Sequence, residues 1–362
     1  MIRIVKRRNP SQAWAWATPI LAVLLTMIVG GFMFAALGKD PFEAIRLIFW
    51  DPLFSEQFAS YSRPQLLVKA GPLILIAIGL SIGFRAGIWN IGAEGQYIMG
   101  AICGAAVGLA LYPSEARWLV FPLMVLFGGI GGILWAMIPA LLKTKFNTNE
   151  ILVSLLLVYV AEQFLAKMAF GALRNPDGQG FPGSRNLAQW SSSSNPELIA
   201  GTGAHWGVVA AIIAVLVAFI LMTRHRVGFD IKLMGVAPRA AAFSGVNPNR
   251  MVVLCLAISG GLAGLAGLFE VTGPSGQITD SFNQGYGFTA IIVAFLGRLN
   301  PIGILLAGLL MGLTFIGGEL AQLMIGLPAS AIQAFQGMLL FFLLALNLMS
   351  DYRIEFGQKE AA

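Results

Sequence analysis

Residues Gly83–Ala101 read "GFRAGIWNIGAEGQYIMGA", and the placement of this stretch decides the fold. Five glycines, an arginine, an asparagine, a glutamate and a glutamine interrupt an otherwise apolar segment. Each glycine costs a helix about 1 kcal/mol against alanine. A carboxylate in hydrocarbon is more expensive still unless it faces protein or water. The stretch is therefore either no membrane span at all or an interrupted span with a task.

Composition settles the first half of that choice. The chain has 362 residues, of which 57% are hydrophobic and 11% charged, with a mean hydropathy of +0.78. Soluble domains carry about 25% charged residues, so a water-soluble fold would have too little polar surface here. The expected class is an all-α polytopic membrane protein. About ten transmembrane helices are expected, at roughly 14–37, 66–84, 91–112, 118–142, 150–170, 205–223, 251–271, 286–298, 302–325 and 328–349. They form one transmembrane domain over 1–362: a tail at 1–13, a membrane domain at 14–349 carrying a basic loop at 224–250, and a tail at 350–362. The apolar run after "MIRIVKRRNP" is longer than a signal-peptide core of roughly 7–15 residues, so it reads as a retained first span.

The net charge of +6 sits in short loops between apolar runs, which points to orientation in a membrane and not to nucleic acid. With the N-terminus inside, the cytoplasmic side receives 15 of the 23 Lys and Arg, among them Arg3, Arg85, Lys143, Arg226, Arg239, Arg298 and Arg353. This bias fits an N-in, C-in topology. Cys103 and Cys255 lie inside apolar runs, and neither a CxxC nor a metal-ligand spacing occurs, so no metal is expected. "GK" occurs only at Gly38–Lys39, without a Walker A pattern, and no GxSxG or HExxH is present. No catalytic residue and no bound cofactor are expected, so the chain moves something or helps another chain to move it.

Two loops stand out. Ala172–Gly203 is long and rich in Gly, Pro, Ser and Asn, an irregular external surface. Thr223–Arg250 contains "APRAAAFSG", a short helix with Pro238 near its start and Gly245 as its stop. From spacing alone it is either a docking surface or a plain basic connector. Replacing Arg239 or Ala241 with a bulky acid is expected to uncouple transport while sparing membrane insertion.

Among polar residues in the apolar runs, Asn90 and Glu94 are four apart and Tyr97 three further on, which on a helix gives one face. Glu94 serves either a gate or helix terminus, or contact with solute. Thr148 or Asn149 is placed to cap a helix, with Glu150 in its first turn, an account that suffices without a transport role. Glu319 with Gln322, and Gln333 with Gln336, read as helix-packing groups. "GFTAIIVAFLGRLNPIGILLAGLLMGL" (Gly287–Leu313) loosely echoes the opening stretch and its following span. That echo fits an inverted repeat of spans 2–5 and 7–10.

"GFRAGIWNIGAEGQYIMGA", "TNEILVSLLLVYVAEQ" (Thr148–Gln163) and "VGFDIKLMGVAPRAAAFSGVNPNR" (Val227–Arg250) resemble the permease subunits of bacterial ABC importers of the branched-chain amino acid, monosaccharide and nucleoside superfamily. The likeness runs over about residues 60–345, and is greatest to the longer permease of nucleoside-type systems. It implies a cytoplasmic ATPase that uses the ATP, a second permease, an extracytoplasmic substrate-binding lipoprotein, and a place in the bacterial inner membrane. It assigns Gly235, Val236, Ala237, Pro238, Arg239, Ala240, Ala241, Ala242, Phe243, Ser244 and Gly245 to the coupling helix seated in the ATPase. The pathway is expected around Trp89, Asn90, Glu94, Gln96, Tyr97, Asn149, Glu150 and Tyr286, whose aromatics offer stacking surfaces to a base. Where the family often has Asn before the tyrosine of the fifth span, this chain has Val158. The competing class is an ion-coupled secondary transporter, for which Glu94 and Glu319 are the candidate coupling carboxylates.

Overall fold

The computed structural model describes residues 2–6, 12–199 and 201–356; the expected terminal tails therefore lie partly outside the described residues. The elements in chain order are β1 (Ile2–Lys6), α1 (Gln12–Ala36), α2 (Pro41–Phe49), α3 (Asp51–Phe54), α4 (Ala59–Arg85), α5 (Ala93–Ala110), α6 (Arg117–Phe146), α7 (Glu150–Phe170), α8 (Trp206–Arg224), α9 (Arg226–Val236), α10 (Pro238–Phe243), α11 (Pro248–Thr272), α12 (Tyr286–Leu296), α13 (Pro301–Ile325), α14 (Ala329–Asp351) and β2 (Tyr352–Phe356).

Among the described residues, eight helices are long and apolar enough to cross a membrane: α1, α4, α6, α7, α8, α11, α13 and α14. The two remaining expected spans differ in kind. α5 has 18 residues and a polar first turn holding Glu94 and Gln96. α12 has only 11 residues, about 16 Å of helix against a hydrocarbon core of roughly 30 Å. Elements absent from the sequence reading are α2, α3, α9 and the β1–β2 pair. α2 starts where Asp40 Oδ1 accepts the N–H groups of Phe42 (2.8 Å) and Glu43 (3.4 Å), with Pro41 at the first helical position. α9 starts where the His225 ring accepts the Val227 N–H at 3.2 Å.

The chain forms two compact units, Met1–Ala59 with Leu313–Ala362, and Ser60–Gly312. In the first, α1 packs on α14. The rings of Phe34 and Phe335 stack at 5.7 Å over a core that includes Leu47, Ile48, Leu327 and Ile332. Gln336 Nε2 donates to Thr314 Oγ1 at 3.2 Å, a helix–helix tie as expected for these amides. β1 and β2 pair antiparallel, Ile2 opposite Phe356 and Lys6 opposite Tyr352.

In the second unit α5, α6 and α11 pack closely against one another. The cause is a seam of glycines. A Cβ on Gly132 would run into the backbone of Gly260 and Gly264, and one on Gly264 into Gly128 and Gly132. Lipid supplies no hydrophobic drive between helices, so close backbone approach and dispersion must hold them together. At one end of this unit, Ile82, Ala86, Ile88, Ala140, Met222, Ile231 and Met251 form one buried cluster. It gathers the C-terminal ends of α4, α6 and α8, the start of α11, and α9. At the opposite end the loop 171–205 is pinned by Asn195 N–H to Thr272 O (2.9 Å) and Leu187 N–H to Gly276 O (2.7 Å). The loop is irregular, as expected, but tied down.

Candidate functional site

The opening stretch is an interrupted helix. α4 ends in a Schellman turn: Gly87 takes φ +75°, its N–H bonds Phe84 O at 3.1 Å, and the Ile88 N–H returns to Gly83 O at 2.9 Å. The chain then runs without helix to Gly92. Its free backbone groups inside the bundle need partners. Ser154 Oγ of α7 accepts the Ile91 N–H at 3.2 Å, and Asn90 Oδ1 accepts the Gly92 N–H at 3.2 Å.

Asn90 lies in this break and not on α5, which corrects the expected helical face shared with Glu94. It pairs instead with Gln96. Asn90 Nδ2 donates to Gln96 Oε1 (2.8 Å) and to Ser259 Oγ of α11 (2.9 Å), while Gln96 Nε2 donates to Asn90 Oδ1 (3.0 Å). Both donors and the acceptor of Asn90 are used. Ser154 and Ser259 escaped the sequence reading because an isolated serine in an apolar run carries no pattern.

Glu94 is fully buried. Its carboxylate accepts the N–H of Gly285 at 3.2 Å and that of Gly287, at the start of α12. Glu94 also sits in the first turn of α5. One carboxyl group thus meets two helix N-termini, where its oxygens accept free backbone N–H groups. Gly287 allows the approach, since a Cβ there would strike the Glu94 backbone. The segment leading into α12 is fixed at a second point, Asn283 Nδ2 to Glu162 Oε1 of α7 at 2.8 Å.

Three residues above this junction are aromatic and buried. Tyr97 stacks on Phe282 (5.2 Å, 13°) and meets Tyr286 edge-on (6.0 Å, 75°). The Tyr97 hydroxyl has no hydrogen-bond partner among the described residues. Trp89 sits apart, partly exposed, tilted against Phe84 (4.9 Å, 34°) and stacked with Phe295 (5.9 Å, 25°). Val158, where the resembled family often carries Asn, packs its backbone beside Gly95 of α5. Asn149 and Glu150 serve the start of α7. Asn149 Oδ1 accepts the N–H groups of Ile151 and Leu152 (3.0 and 3.4 Å), and Glu150 bonds Lys143 Nζ at 3.0 Å. The capping account of these two residues is what the geometry displays.

The basic loop holds two short helices. α10 begins with Pro238 and closes before Gly245, which takes φ +88°, as the sequence pattern required. Val236 and Phe243 are 88% and 94% exposed, and Arg239 is exposed. Ala241 is 1% exposed. That corrects the equal treatment of Arg239 and Ala241: an acid at Ala241 would break the packing under α10. The loop is tied to the helix break, because Gly235 lies directly on the carbonyl of Arg85, leaving no room for a Cβ.

Residues 63–344 match the family described as branched-chain amino acid transport system / permease component. The chain belongs to this permease family. It is similar to a glucose ABC transporter permease protein of Haloferax volcanii, 34% identical, covering 96% of this chain and 92% of the relative. It is also similar to a nucleoside ABC transporter permease protein of Lactococcus lactis, 28% identical over 90% and 89%, and a second such protein of that organism matches as well. A guanosine ABC transporter permease protein of Bacillus subtilis is 26% identical over 93% and 94%. No solved structure matches the chain. The permease is thus a non-catalytic, multi-pass subunit of the cytoplasmic membrane, as the family resemblance had implied.

Proposed function

We propose that this permease is the translocation subunit of an ATP-driven importer that carries a nucleoside delivered by an extracytoplasmic binding lipoprotein. A separate cytoplasmic ATPase uses the ATP, and a second permease completes the path. The observation that carries this reading is the direct seating of Gly235 in the basic loop on Arg85 at the helix break. A push on the exposed face of Val236, Arg239 and Phe243 reaches Arg85 and Ala86 through one backbone contact. The break then shifts against α5, whose first turn holds Glu94. Alternating access needs such a bistable element, and interrupted helices supply it.

The topology proposed is ten crossings with both ends in the cytoplasm. The antiparallel pairing of β1 with β2 favours ends on one side. The common end of Arg85, Arg226 and Arg250 favours a cytoplasmic basic loop. The inverted repeat of spans 2–5 and 7–10 is supported by α5 and α12, each the second element of its half, meeting head to head at Glu94. The pathway is proposed along Tyr97, Phe282 and Tyr286, with Asn90, Gln96 and Glu94 as its fixed floor.

A second reading, a monosaccharide as cargo, is favoured by the 34% identity to the glucose permease protein. Uptake of labelled guanosine and glucose by a strain lacking this gene decides between them. Loss of guanosine uptake alone supports the first reading and loss of glucose uptake alone the second. Unchanged uptake of both, together with recovery of the tagged chain free of any ATPase, rejects the importer.

A further inference from the structure

The segment between α11 and α12 enters the membrane region and stops halfway. Its start is held by the loop 171–205: Ser184 N–H donates to Ile278 O, and Ile278 N–H to Ser184 Oγ, both at 2.9 Å. Its end is held deep inside, where Asn283 meets Glu162 and Gly285 meets Glu94. Two rulers agree on that depth. Glu162 lies twelve residues along α7 from Glu150, about 18 Å of helix, and α12 covers about 16 Å from Tyr286 to Leu296. Both end near the middle of a hydrocarbon core of roughly 30 Å.

Residues 278–285 form neither helix nor strand. At such depth irregular backbone is tolerated only where protein buries it or water lines it. One side of the segment is buried, since Phe282 is 2% exposed and stacks on Tyr97. The other side is not. Asp280, Ser281 and Gln284 are exposed, and so is Gln163, on the turn of α7 that holds Glu162. A carboxylate, a hydroxyl and two amides are costly against lipid. The middle of α8 is the contrast: Ile212, Ile213, Leu216, Val217 and Ile220 are exposed there, and no polar residue interrupts them.

We propose that Asp280, Ser281 and Gln284, flanked by Gln163, form a water-facing wall at mid-membrane along which a polar solute passes. Phe282, Tyr97 and Tyr286 are the packing behind this wall, and the Asn283–Glu162 and Gly285–Glu94 bonds hold it at its depth. Its amides and hydroxyl both donate and accept hydrogen bonds, so they replace part of the water that a polar solute sheds on entry. That a second permease completes the far side, and that the solute is the importer's cargo, rests on the function proposed above. The exposure of the wall to water does not.

The test is cysteine labelling in membranes of the native host, where the complete transporter is present. Gln284→Cys and Gln163→Cys replace exposed side chains. Leu216→Cys is the control at similar depth, 57% exposed and about 15 Å along α8. The wild-type chain, with half-buried Cys103 and buried Cys255, gives the background. A charged, membrane-impermeant thiol reagent should modify both glutamine positions at least about tenfold faster than Leu216→Cys, because the thiolate that reacts forms only in water. Modification should also stop uptake in both variants and leave that of the wild type intact. Labelling at either position no faster than at Leu216→Cys shows that lipid or a packed partner covers the face, and overturns the proposal. Uptake that survives complete modification overturns it as well, since a filled path does not conduct. Wild-type uptake of neither guanosine nor glucose counts against the importer alone, because the labelling rates need no cargo and still decide the wall.

Discussion

The carboxylate of Glu94, in the first turn of α5, accepts the backbone N–H of Gly287, in the first turn of α12. Two helices that each begin inside the bundle therefore share one carboxyl group. The opening stretch holds a carboxylate because two helix N-termini need one.

Removing that carboxyl group leaves the buried N–H of Gly287 unpaired, whereas the Gly285 N–H keeps Asn283 Oδ1 at 3.1 Å. Glu94→Ala should destabilise the purified permease by about 1–3 kcal/mol. Glu94→Gln, which keeps one acceptor oxygen, should recover part of the loss. Thermal unfolding in detergent, followed by tryptophan fluorescence, is the measurement. Identical melting of Glu94→Ala and the wild type would remove the junction from the account of stability.

Gly264 tests the seam of α5, α6 and α11. A methyl group there meets the backbone of Gly128 and Gly132, and backbone cannot rotate away as a side chain can. Gly264→Ala is expected to cost about 3 kcal/mol and to lower the amount of folded protein in the membrane. Gly129→Ala is the control, because its Cβ would find only Leu265 at 3.6 Å, an ordinary contact. Equal accumulation of the two variants would contradict the seam.

Legibility followed pattern length. Long apolar runs announce spans, so α1, α4, α6, α7, α8, α11, α13 and α14 were readable from hydropathy. α10 was readable because Pro238 and Gly245 bracket four residues of helix-forming type. Asn90 was misplaced because periodicity assumes an unbroken helix, and the Schellman turn at Gly87 resets the phase. α9 was hidden by its place in a segment read as a basic loop, although Val227, Ile231 and Met234 recur at helical spacing and pack on the buried cluster, and α2 was hidden by its place between two expected spans. The head-to-head meeting of α5 and α12 joins residues 191 and 193 positions apart, a relationship that no local spacing encodes.

His205 makes the second unit sensitive to acid. Burial pushes its imidazole down to about 4, from an ordinary value of 6.5. The unfolded chain binds a proton on this ring below about pH 6.5, whereas the folded chain does not until about pH 4. Stability therefore falls as pH drops through this window, by about 3 kcal/mol in all, and the His205 contribution levels off below it. Melting of wild type and His205→Gln between pH 7.5 and 4 measures it. A parallel pair of curves would show that His205 does not titrate differently on folding.

The last prediction separates the exposed and buried faces of α10. Phe243 is 94% exposed and Ala241 1% exposed, two residues apart on a six-residue helix. Phe243→Asp removes an apolar anchor from the surface proposed to meet the ATPase. It should lower uptake by about tenfold or more, as loss of an aromatic hot spot does, while melting stays within about 0.5 kcal/mol of wild type. Arg239→Glu should act the same way. Ala241→Glu should instead lower the melting temperature, because the acid has no space beneath the helix. Gly235→Val belongs to a third class: it forces the loop off the Arg85 carbonyl, so ATPase binding should persist while ATP hydrolysis no longer drives uptake. The three classes are told apart by co-purification of the ATPase, melting and uptake measured on the same preparations. Wild-type uptake in Phe243→Asp would show that α10 is a connector and not the docking surface.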